Sequence, residues 1–122
     1  MIEKITEFYK MEFYDSYVII EARGQFEVSA STAEKTIQTI VDHFNGKNFV
    51  IISNRTAKYT LRSDAYSSKV FKKVKGIAIV SKNEEVRKNA VLEQEKFNGS
   101  FAFFENLDDA KHWAENFFVT YY

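Results

Sequence analysis

The stretch Asn54-Arg55-Thr56-Ala57-Lys58-Tyr59-Thr60 carries the residue types best suited to meet a ligand. It leaves the carboxyl end of an apolar run, Phe49-Val50-Ile51-Ile52-Ser53, and open α/β sheets bind ligands outside those strand ends. A guanidinium at Arg55 can fork onto a carboxylate or phosphate, and Tyr59 can stack on a ligand or donate a hydrogen bond to it. Asn54, Arg55, Tyr59 and Thr60 are therefore the expected ligand-binding residues. The competing reading pairs Arg55 with an acidic side chain and packs Tyr59 beneath the connection.

Other chemistries find less support. The chain has no cysteine, which removes disulfides, thiolate nucleophiles and cysteine-based zinc sites. His43 and His112 have no second ligand at metal-site spacing, so no metal is expected, and His43 reads as a solvated surface residue. Glu93 and Glu95 are two apart on a helix and point in different directions, which does not make an acid–base pair. The glycines are scattered at turns and form no phosphate-cradling loop. No nucleophile–base constellation is present, so catalytic residues and cofactors are expected to be none and the chain is not expected to be an enzyme. Lys69, Lys72, Lys73 and Lys75 cluster near a helix end, where the helix dipole favours lysines, and no aromatic residues interleave for nucleic-acid binding.

The elements that must position these residues follow from hydropathy. Phe49–Ser53 and Gly76–Ser81 are apolar at nearly every position, as strands covered on both faces are. Each precedes a stretch with helical spacing, which predicts parallel strands with crossover helices. Tyr9, Met11 and Phe13 alternate with Lys10 and Glu12, and Tyr17–Arg23 follows a turn at Asp15-Ser16, which predicts an antiparallel hairpin. Ser31-Thr32-Ala33-Glu34 has the form of a capping box opening a helix on Ala33, Ile37, Ile40, Val41 and Phe44, stopped at Asn45-Gly46. A helix from Ser63-Asp64 with Tyr66, Val70, Phe71 and Val74 inward comes next. Asn83 caps a helix over Glu84–Phe97 with Val86, Ala90 and Phe97 inward. A strand over Phe101–Phe104 and a last helix after Asn106, carrying Ala110, Ala114, Phe117 and Phe118, complete the order ββαβαβαβα. There is no proline and no linker, so residues 1–122 are expected to form one domain.

Composition bounds the partners. Lysine plus arginine and aspartate plus glutamate balance at 17 each, which gives no global attraction to nucleic acid and little repulsion between copies. No window is long and apolar enough to span a bilayer. The first ten residues lack the features of a secretory signal, and a cytoplasmic location is expected. The aromatic run Trp113, Phe117, Phe118, Tyr121 and Tyr122 predicts a homodimer that buries the tail.

Val50-Ile51-Ile52-Ser53-Asn54-Arg55 with Tyr59-Thr60-Leu61 resembles the SpoIIAA-like proteins, related to STAS and SEC14-type domains. Gly76-Ile77-Ala78-Ile79-Val80-Ser81, Glu93-Gln94-Glu95-Lys96-Phe97-Asn98-Gly99 and Asn106-Leu107-Asp108-Asp109-Ala110 continue the likeness, which is greatest to uncharacterised bacterial members. The resemblance implies a single mixed sheet with helices packed on it, and often a dimer. Ser53-Asn54-Arg55-Thr56 lacks the Asp-Ser-Ser-Gly-like phosphorylation site of regulatory STAS domains. The expected class is α/β with an N-terminal antiparallel hairpin and parallel βα units. The expected role is non-enzymatic binding or regulation, through a protein partner or a small apolar or anionic ligand. A lipid carrier, or an enzyme using Arg55, Tyr59 and Thr60, are the alternatives.

Overall fold

The computed structural model describes residues 1–24, 27–56, 60–61 and 64–119, with the backbone alone at 60–61. Six strands form one mixed sheet in the order β1-β2-β3-β5-β7-β8. Strands β1 (Ile2–Ile5), β2 (Tyr9–Phe13) and β3 (Tyr17–Ala22) are antiparallel. Strands β5 (Val50–Asn54), β7 (Gly76–Val80) and β8 (Ser100–Phe104) continue from β3 in parallel. The expected hairpin and central strands are therefore present. Two short strands, β4 (Glu27–Val28) and β6 (Thr60–Leu61), make a separate parallel pair.

Burial follows the hydropathy pattern. β2 alternates between buried and half-buried residues, whereas all five residues of β7 and the first four of β5 are buried. One face of the sheet presents Val18, Ile20, Ile51, Ile77 and Ile79 to helices α1 (Ala30–Phe44) and α2 (Glu84–Lys96) and to a 3-10 helix, Lys69–Lys73. The other presents Ile19, Val50, Ile52, Ala78 and Val80 to α3 (Leu107–Asn116), whose Ala110 and Ala114 lie fully buried against it. Removing Ile51 or Ile79 from water stabilises the fold by roughly 1.5–3 kcal/mol each.

Several local expectations are corrected. Helix α1 is capped by Ser29, whose hydroxyl accepts from the Thr32 amide at 3.2 Å. Ala30 extends the helix back, so Ser31 and Thr32 lie inside it and Glu34 closes no reciprocal box at its start. The left-handed position at its end is Asn45, at φ 48°, ahead of Gly46 at φ 90°. The helix expected from Ser63-Asp64 is instead a turn at 64–66 followed by the 3-10 helix; Ser63 lies outside the described residues. Ser67 donates to the Asp64 carbonyl and Ser68 caps Val70, and such serine-to-backbone bonds compete with α-helix. Tyr66, Val70, Phe71 and Val74 still face the core. Asn83 and Asn106 cap α2 and α3 as expected. The last helix ends at Asn116, and Phe118 is 37% exposed.

Strand β1 is a finding of the structure. Its four residues are all exposed, and it is held by pairing with β2 at the sheet edge. Lys10 bridges Glu3 at 3.7 Å and Glu12 at 3.5 Å, easing the like charges that the register sets opposite one another.

Candidate functional site

The register of the parallel strands sets the site. Ile51, Ser53 and Arg55 alternate along the chain, so they lean to the same face of the sheet. The Arg55 amide donates to the Val80 carbonyl at 2.9 Å, which holds the residue against the end of β7 after β5 has finished. Its side chain turns toward α2.

There it meets Glu93. Arg55 Nη1 donates to Glu93 Oε2 at 2.5 Å and Nη2 donates to Oε1 at 2.6 Å. Arg55 Nε donates to Ser53 Oγ at 3.1 Å, and the Tyr66 hydroxyl donates to Glu93 Oε1 at 2.8 Å. The Arg55 and Glu93 side chains are only 7% and 10% exposed. A buried carboxylate that accepts from a forked guanidinium and a phenol, three donors in all, is well satisfied. Among the described residues, no buried side-chain nitrogen or oxygen lacks a partner. The competing sequence reading of Arg55, an internal ion pair, is what the structure contains.

The remaining expected site residues are less gathered. Asn54 is half-buried and ends β5, paired in register with Val80. Thr60 pairs in register with Glu27 through the backbone, and Tyr59 lies outside the described residues. Thr56 donates to Glu21 at 2.8 Å. The structure thus joins Arg55 to Ser53 and Glu93, and through Glu93 to Tyr66, none of which was among the expected site residues. A signal for Glu93 was present: with Val86, Ala90 and Phe97 it continues one stripe of α2, and an acid on an inward stripe requires a buried cation.

Beside this cluster lies a recess of about 50 Å³. Ile20, Ile51 and Ile77 are part of its apolar wall, and Ser53, Arg55 and Tyr66, with Tyr9 and Thr36, bear its polar groups. An apolar cavity of about 150 Å³ accepts benzene, so this one accommodates a few heavy atoms as it stands.

Elsewhere, Lys69, Lys72, Lys73 and Lys75 are exposed around the 3-10 helix. His43 is exposed but not merely solvated: its ring stacks on Phe13 at 3.8 Å between centroids. Among the described residues no group of three or more acidic or histidine side chains is placed to hold a metal ion, and no helix is long and apolar enough to cross a membrane.

This mixed sheet, antiparallel at its start and parallel thereafter, with helices on both faces, defines a SpoIIAA-like α/β fold. It is shared with the crystal structure of an uncharacterized protein of the DUF3478 family from Shewanella loihica PV-4. The two are 19% identical, with a TM-score of 0.61, and the match covers 93% of this chain and 96% of the other. No protein-family profile and no curated protein matches the sequence.

Proposed function

We propose that the chain is a non-enzymatic binding domain that takes a small, neutral, amphipathic ligand in the recess beside Arg55. The observation that supports this is the convergence of Ser53, Arg55 and Tyr66 on a mostly apolar recess. An apolar pocket with a few converging polar groups is the usual form of a small-molecule site. The ion pair refines the ligand's charge. Glu93 already balances the Arg55 guanidinium, so an anion would meet the carboxylate as well as the cation. A hydroxyl or amide head group exchanges hydrogen bonds with Ser53 and Tyr66 without that repulsion. Asn54, between Ser53 and Arg55, leans to the opposite face of the sheet, so of the residues on this connection Tyr59 and Thr60 are the ones proposed to contribute to binding. The volume disfavours a lipid carrier, because an acyl chain would have to displace core side chains.

Titration with 1-butanol and with butyrate, followed by amide chemical shifts, tests this reading. The expected result is saturable shifts at Ile51, Tyr66 and Ile77 with the alcohol, weaker ones with the carboxylate, and loss of both in Ala33→Leu, which fills the recess from α1. Absence of saturable shifts with either probe, together with no small molecule retained in native mass spectra, refutes it.

A further inference from the structure

The two edges of the sheet are built differently, and the difference bears on what each can pair with. A two-fold axis normal to a sheet joins two copies of one edge strand antiparallel, with one residue opposite its own copy at the axis. For β1 the central registers place Glu3 against Glu3 or Lys4 against Lys4, and directly opposed like charges destabilise a strand pair. Charged residues are a common protection of a free edge.

Strand β8, Ser100-Phe101-Ala102-Phe103-Phe104, carries no charge along its whole length. With Ala102 at the axis, all five residues pair: Phe101 faces Phe103 of the second copy, twice, and Ser100 faces Phe104. Phe101 and Phe103 lie on the face beneath α2 and are only half-buried in the single chain. Between α2 and this edge runs a groove of about 420 Å³ lined by Glu84, Arg87, Lys88, Val91 and Phe103. Val91 in this lining is 47% exposed. Glu84, Arg87 and Lys88 lie on one side of Val91, and the Arg87 guanidinium is bonded to Glu105 at 3.0 Å.

We infer that β8 is a self-association edge, at which a second copy of this chain adds antiparallel about Ala102 and joins the two six-stranded sheets into one. The contact closes on itself, which ends the exposure of an apolar strand edge and leaves none for a third copy. It uses an edge apart from the recess beside Arg55, and it places the interface away from residues 119–122, where the sequence alone suggested it. Of those residues only Val119 is described, 47% exposed.

The chain has no cysteine, so Ala102→Cys introduces its sole thiol. Directly opposed residues of an antiparallel pair have Cα atoms about 4.5–5.5 Å apart, within disulfide reach. Mild oxidation at micromolar protein is expected to convert this variant to a covalent dimer far faster than Leu92→Cys, which is exposed on α2. Sedimentation should show wild-type dimer, dissociation by about tenfold or more in Phe103→Glu, and recovery in the double variant Phe101→Lys/Phe103→Glu, in which the two new charges of opposite sign face each other. Far-UV circular dichroism checks the fold of each variant. A monomeric wild type, cross-linking of Ala102→Cys no faster than that of Leu92→Cys, or a dimer lost only on removing residues 119–122 overturns the inference.

Discussion

Replacing Glu93 by alanine is the most informative single perturbation of this fold. The change removes the carboxylate that receives both terminal nitrogens of Arg55 and the Tyr66 hydroxyl. Arg55, 7% exposed, is then a buried cation without its counter-charge. Breaking one side of such a pair costs about 3–5 kcal/mol, most of it the penalty on the partner left behind. For 122 residues the unfolding entropy is about 0.26 kcal/mol per kelvin, so a loss near 4 kcal/mol lowers Tm by roughly 15 °C. Tyr66→Phe removes one hydrogen bond and should cost about 1 kcal/mol. Arg55→Met combined with Glu93→Leu removes both charges and should recover most of the loss, because a buried ion pair contributes little net stability over a well-packed apolar pair. Urea unfolding of the wild type and these three variants gives each quantity directly. A Glu93→Ala loss below about 1 kcal/mol, with an unchanged dependence on urea, would mean that the pair is solvated and the site misassigned.

Ile79→Ala, at a fully buried position of β7, should cost roughly 2–5 kcal/mol in the same assay, and a value under 1 kcal/mol would be inconsistent with burial on both sheet faces. At Gly99 an added Cβ would stand 2.7 Å from Phe97 Cε2 and 3.4 Å from the Lys75 carbonyl oxygen. Because Phe97 is itself a core residue, Gly99→Ala should lose about 1–3 kcal/mol, and a neutral result would show that the ring swings aside. Burial, then the Glu115 carboxylate and the neighbouring Tyr14, push the Tyr17 phenol from 10.0 up to about 12. The folded chain therefore holds this proton more tightly than the unfolded one. Its stabilisation is complete below pH 10 and declines as pH rises to about 12. Tyr17→Phe should flatten that decline in alkaline urea melts, and an unchanged slope would assign it to other groups.

The parts of the fold legible in the sequence are those whose signal is local. Gly76–Val80 reads as a central strand because burial on both faces removes any polar alternation, and Asn83 and Asn106 read as helix starts because their side chains serve the next turn. Strand β1 is different. Ile2-Glu3-Lys4-Ile5 does not alternate, and its extended form comes from the β2 ladder. Two-residue strands such as β4 and β6 lie below any periodic signal. The second helix was overestimated because Tyr66, Val70 and Val74 keep a helical spacing that a turn and a 3-10 helix can also satisfy. At the site, Arg55 was legible as a cation leaving a buried strand. Its partner, 38 residues further on, required the fold to bring α2 over the end of β5.

Helix α2 connects the two surfaces proposed for this chain. Only Ala90 and Glu93 are buried along its thirteen residues, so its anchor is more ionic than apolar. Local features make it helical: Asn83 accepts from two amides, Glu84 and Glu85 occupy the first turn, and Lys96 lies in the last. What seats it on the sheet is the bond to Arg55, on the β5 side, with the open groove on the β8 side. The ion pair therefore holds Arg55 at the recess and ties down the helix that lines the groove. Glu93→Ala should raise amide hydrogen exchange in residues 88–96 well before it does so in α1, whose Ile37, Ile40 and Phe44 dock it by apolar contact. Dimerisation should weaken in the same variant, although Glu93 does not line the groove, whereas Phe103→Glu should leave the exchange of Tyr66 and Ile77 unaltered. Equal loss of protection in α1 and α2 would mean that the ion pair stabilises the whole domain and does not seat α2 in particular.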